Sequence, residues 1–220
     1  MFRHLQSHRL LEPAKINVLL VEGATAQGIA NPNSKTHALA RFNQRLNKAQ
    51  KWQTLFFSLG EVDCGFVIWY RVQKHGSDIE SQLERSIQNY IDFLISTRQS
   101  GFQNINVISA PLPTIRDGQN WGKIANLRQS VKASQLERTQ LTLRYNQMLQ
   151  KRCLEHGFNF IDVTAEQLDP HTHLIADSFL NEDPLDHHLD AAAYSKLLVS
   201  HLQPLLGKLP SQSTPTAAPG

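Results

Sequence analysis

The residues best suited to chemistry stand in a short loop near the end of the chain: Asp183, Asp186, His187, His188 and Asp190. A carboxylate beside an imidazole fixes the ring's tautomer and raises its basicity, which a general base requires. The same residue types also serve as solvated loop groups that cap a following helix, and both readings stand at this level. A second group follows the apolar run Val18-Leu19-Leu20-Val21, where Gly23, Ala24, Thr25, Ala26 and Gly28 are small, turn-forming residues. Thr25 carries the hydroxyl there. A threonine beside a base can act as a nucleophile, and a threonine at such a position also caps a helix. Glu61 and Asp63 flank a third turn beginning at Gly60. They serve either a site or the local backbone amides.

Two other chemistries use the same residues. His171 and His173, with Asp186 and His188, are ligand types that suit zinc. A tetrahedral site needs four of them to converge, so no metal is expected. Gly23 and Gly28 are spaced as in a phosphate-binding loop, but Ile29-Ala30 stands where lysine and a hydroxyl residue would contact phosphate and magnesium. That excludes a nucleotide hydrolase of this type. No Gly-x-Gly-x-x-Gly fingerprint occurs, and no cofactor is expected.

A scaffold must gather these groups. Residues 16–22 read as a strand buried on both faces, ending in a tight turn. Further strands are expected at 52–59, 105–109 and 158–163. A helix is expected from about 34 to 51, with Leu39, Phe42 and Leu46 on one face and Asn33 or Ser34 as its cap. The clearest helix covers 77–99, with Ser77 and Asp78 as caps and a stripe of Ile79, Leu83, Ile87, Ile91 and Leu94. Others cover 133–156 and 191–206, while 65–75 reads equally as a short helix or an extended segment. Residues 113–132 are long and irregular, as lids and binding segments often are. Alternating strands and helices indicate an α/β fold with a mainly parallel sheet of about four to five strands. Ligands in such sheets bind beyond the carboxyl ends of the strands. The turns at 23–28, 60–63, 111–113 and 183–190 are therefore expected along one edge.

With 220 residues, 40% hydrophobic and 19% charged, the chain supports one sizeable soluble domain. Residues 15–207 are assigned to that domain, 1–14 to an irregular lead-in and 208–220 to a disordered tail. The formal charge of +3 is scattered, so no nucleic-acid partner is expected. No apolar run approaches the roughly 18 residues of a membrane span, and no membrane partner is expected. The first residues are too polar for a secretory apolar segment. Cytoplasmic location is expected, with Cys64 and Cys153 as reduced thiols. The oligomeric state is not legible.

The order of the motifs resembles the GDSL-like, or SGNH, hydrolases. Gly60-Glu61-Val62-Asp63 is similar to their Gly-x-Asn-Asp, and Asp186-His187-His188-Leu189 approximates their Asp-x-x-His before the last helix. The strings QGIANPNSKT and LGEVDCGFVIWYR resemble an uncharacterised bacterial branch of the same superfamily. The resemblance covers most of 16–205. It implies a three-layer α/β/α sandwich, flavodoxin-like in layout, and hydrolysis of a small acyl ester, such as an acetyl ester of a carbohydrate or other small molecule. It further implies Thr25 as nucleophile, His188 as base with His187 as alternative, and Asp186 as orienter with Asp183 as alternative. Gly28, Gly60 and the Gln27 side chain would serve as oxyanion donors, and Asp63 and Asn33 would line the cleft. Two positions depart from the pattern. Counting four residues back from Gly28 reaches Ala24, where the family has its serine, and Val62 stands in place of the donor asparagine. Losing one such donor typically removes about 3 kcal/mol of transition-state stabilisation. The departures open a second expectation, a catalytically impaired relative that binds a ligand or partner in the old cleft.

Overall fold

The computed structural model describes residues 2–118, 131–183 and 185–206. Most of the long irregular segment 113–132 and the 208–220 tail lie outside them. Within them the protein is a mixed α/β structure with a three-stranded parallel sheet, β1 (Leu55–Phe57), β2 (Ile105–Ile108) and β3 (Asn159–Ile161), in the order β1-β2-β3. Phe57 pairs with Val107, and Val107 with Phe160. Among the described residues five α-helices accompany the sheet: α1 (Ala38–Asn47), α2 (Ile68–His75), α3 (Ile79–Gln99), α4 (Gln135–Glu155) and α5 (Ala191–Leu206).

The sheet lies between two apolar clusters. Leu55, Phe57, Ile105, Val107 and Phe160 join the first, together with Leu83, Ile87 and Ile91 of α3 and Tyr145 and Leu149 of α4. Phe56, Ile108 and Ile161 join the second, with Leu5, Leu11 and the α5 residues Tyr194, Leu198 and Leu202. This alternation is the two-residue period of a strand. All four residues of β2 are buried, as a central parallel strand requires.

The strongest helices carry their own start signals. Asp78 accepts from the Ser81 backbone N–H at 2.8 Å and caps α3. Ser134 and Glu137 form a reciprocal capping box on α4. The ambiguous stretch 65–75 is helical: a π-turn over Asp63–Val67 runs directly into α2.

The expected strand over 16–22 is not part of the described sheet, which has three strands rather than four or five. Val21 is buried, but Leu19 and Leu20 are 36% and 49% exposed. An apolar run becomes a doubly buried strand only where neighbours cover both of its faces, and these side chains lack that cover.

Candidate functional site

The turn after β1 is built around Gly60. Its φ of 115° lies in the range that favours glycine, and a Cβ there would come within 2.5 Å of Tyr145 Cε1. Three residues later the chain buries Asp63 completely. One carboxylate oxygen accepts from the Ala26 N–H at 2.8 Å. The other accepts from the Gln27 N–H at 2.9 Å and from the Ser86 hydroxyl at 2.8 Å. Burial pushes this carboxyl up, the three donors pull it back, and the net direction is upward. Asp63 therefore ties the 23–28 turn to the end of β1 and to α3.

Thr25 and Gly28 are engaged within that turn. The Thr25 hydroxyl accepts from the Gly28 N–H at 2.8 Å, at the start of the short 3-10 turn Gln27–Ala30. This local bond occupies the Gly28 amide expected as an oxyanion donor, while Ala26 stands at the start of the 3-10 turn. Gln27 turns inward as well. It is 4% exposed, and its side-chain amide donates to Gln82 Oε1 at 2.9 Å and to the Gln82 carbonyl at 3.4 Å. Its expected role as an oxyanion donor does not fit that placement, because a buried amide committed to α3 does not reach an open cleft. Asn33 is exposed, and its backbone N–H donates to Asn31 Oδ1 at 3.0 Å.

The other strand ends close the same edge. Asn146 of α4 accepts from the Ala110 N–H and donates to its carbonyl, both at 2.8 Å. Gln167 accepts from the Leu112 N–H at 3.2 Å. The Thr114 hydroxyl donates to the His187 carbonyl, joining the segment after β2 to the loop before α5. Glu61, Gly65, Pro113 and Thr114 line one narrow cavity of about 10 Å³, room for about one water. The turns at 60–63, 111–114 and 187 thus converge as the topology predicts, and Asp63 adds the 23–28 turn.

The loop before α5 holds the imidazole and carboxylate together. Asp186 Oδ1 lies 2.6 Å from His188 Nδ1 and also accepts from the His188 N–H at 2.9 Å. Asp186 Oδ2 accepts from Asn181 Nδ2 at 3.0 Å. Partial burial pushes the Asp186 carboxyl up; the His188 N–H and ring, with the charges of both histidines, pull it further down, and the net direction is downward. An ionised carboxylate only accepts, so the Nδ1 contact assigns the ring proton to Nδ1 and leaves Nε2 to take up a proton. The His188 side chain is 70% exposed. Asp183 does not orient it; its carboxylate accepts from the Leu185 N–H at 2.9 Å. Among the described residues Thr25 and His188 are not hydrogen-bonded to each other.

His171 and His173 do not join Asp186 and His188. The His171 N–H donates to Asp169 Oδ1 at 3.0 Å, in a turn that returns the chain to an isolated bridge between Leu168 and Ile175. Among the described residues, the ligand atoms that converge are those of Asp186, His187 and His188, all within 4.8 Å of one another.

Several supporting residues were not singled out from the sequence. Gln82, Ser86 and Asn89 anchor the 23–28 turn on α3, the last by donating to the Gln27 carbonyl at 2.8 Å. Their signal was available, since polar residues at i, i+4 and i+7 form a polar stripe beside the apolar one. No signal marks Thr114 or Asn181, whose partners are set by loop geometry.

No described helix is long and apolar enough to cross a membrane. No protein-family model and no curated protein sequence matches the chain.

Proposed function

We propose that this chain is an SGNH-type hydrolase of the cytoplasm that cleaves small acyl esters, with His188 as general base and Asp186 as its orienter. The observation that carries the reading is the 2.6 Å contact between Asp186 Oδ1 and His188 Nδ1. A base held in one tautomer by a carboxylate is the arrangement that activates a hydroxyl nucleophile in acyl transfer. Under this reading Thr25 is the nucleophile, and the helices on the two sides of the three-stranded parallel sheet are the outer layers of an α/β/α sandwich. Because Thr25 Oγ1 accepts from Gly28, its own proton remains available to a base.

A second reading is favoured by that same Thr25–Gly28 bond together with Ala24 and Val62. There the cleft has lost its nucleophile and oxyanion donors, and the protein binds a ligand or partner without turnover.

Hydrolysis of a short series of p-nitrophenyl acyl esters separates the two, with the wild type compared against Thr25→Ala and Ala24→Ser. Turnover by the wild type that Thr25→Ala abolishes supports the hydrolase. An inert wild type with activity gained in Ala24→Ser supports the binding protein. Turnover that survives in Thr25→Ala removes Thr25 from the mechanism.

A further inference from the structure

We infer that Asp186, His187 and His188 form a binding site for a single divalent transition-metal ion, zinc being the best fit, held by two imidazoles and one carboxylate.

The rings of His187 and His188 are packed against each other, with centroids 4.2 Å apart and planes inclined by 32°. One ligand atom from each ring and one from Asp186 lie within 4.8 Å of one another. Zinc bonds of about 2.0 Å at tetrahedral angles place ligand atoms roughly 3.3 Å apart. Closing the remaining distance needs small side-chain rotations. Exposure of His188 leaves it room to make them.

The surroundings hold the ligands as a metal site requires. Asn181 Nδ2 donates to the Asp186 oxygen not used by His188, at 3.0 Å, and so orients the carboxylate. The Thr114 hydroxyl donates to the His187 carbonyl and fixes the backbone between the two histidines. An isolated bridge between Leu180 and Leu189 closes the base of the loop. Two imidazoles and a carboxylate are a donor set that zinc accepts with its fourth position open, and magnesium does not favour imidazole.

The site does not depend on ester hydrolysis, but it has a consequence for it. An ion held by His188 removes that imidazole from service as a base. If the hydrolase reading holds, zinc inhibits the enzyme and a chelator restores it. That arm rests on the reading given above, whereas metal binding is read without any substrate.

The test is titration of the full chain with zinc alone, against a chromophoric zinc chelator, with thermal unfolding as a check of folding. The wild type is expected to bind one equivalent per chain. His187→Ala and His188→Ala should each weaken binding by more than about tenfold, and Asn181→Ala by about tenfold through loss of carboxylate orientation. His171→Ala, outside the cluster, should leave affinity unchanged. Absence of stoichiometric zinc binding by folded wild type overturns the proposal. So does undiminished binding in the folded His187→Ala, His188→Ala double variant. A metal-free wild type that is inert in ester assays, yet binds one equivalent of zinc in the titration, would count against the hydrolase reading alone.

Discussion

Asp63 accepts a hydrogen bond from the backbone N–H of Ala26 at 2.8 Å across 37 residues of sequence. With the Gln27 N–H and the Ser86 hydroxyl on its other oxygen, this carboxylate is the common anchor of the 23–28 turn, the end of β1 and α3. Its role is to hold the turn that carries Thr25.

Replacing Asp63 should therefore act on stability first. Asp63→Ala leaves two backbone N–H groups and a hydroxyl without their acceptor in a buried site, at a cost of about 3 kcal/mol. Ser86→Ala removes one donor and should cost about 1 kcal/mol. Asp63→Asn preserves the shape but turns an NH2 group toward a backbone N–H, so it should fall nearer to alanine than to wild type. Urea unfolding followed by circular dichroism measures all three. Equal stability of Asp63→Ala and wild type would remove the anchoring role.

Gly60 makes a separate steric prediction. A Cβ at this position meets Tyr145 Cε1 at 2.5 Å and the Ala110 side chain at 3.1 Å, on a backbone with φ of 115°. Gly60→Ala should lose about 3 kcal/mol from overpacking and strain combined. The same unfolding measurement checks it, and a loss below about 0.5 kcal/mol would mean that the turn relaxes freely.

The helix caps predict how the protein responds to acid. The Ser81 hydroxyl and N–H hold the Asp78 carboxyl below its ordinary range, and the Ser134 N–H and hydroxyl do the same for Glu137. A depressed carboxyl contributes stability above its unfolded value, about 3.9 for Asp and 4.3 for Glu. That contribution is lost as pH falls through the lower folded value. Asp63, pushed upward by burial, acts in the opposite sense, since its ionisation costs stability as pH rises through its folded value. Asparagine caps a helix about as well as aspartate. Asp78→Asn should therefore keep the Tm at pH 7 close to that of wild type and lessen the fall in Tm below about pH 4. An unchanged acid slope in Asp78→Asn would contradict the assignment.

What the sequence revealed follows from which interactions are local. The apolar stripe on α3, the Asp78 cap and the Ser134-Glu137 capping box all act within a few residues, and these helices are legible directly. The pairing of Asp186 with His188 is equally local, a carboxylate and a ring two residues apart. The 16–22 run failed as a strand because its apolarity carries no information about which neighbour covers it, and Leu19 and Leu20 stay exposed. The burial of Gln27 against Gln82 was hidden for a similar reason, since its partner lies 55 residues away. Thr25 showed its hydroxyl in the sequence, but only the fold reveals that the Gly28 N–H donates to it.

The most direct test of the central claim is the rate of p-nitrophenyl acetate hydrolysis by wild type and by His188→Ala, with folding of both verified by thermal unfolding. A general base contributes about 10²-fold or more. The account predicts turnover by the wild type that falls by at least about that factor in His188→Ala. Turnover that is the same in both proteins would contradict it.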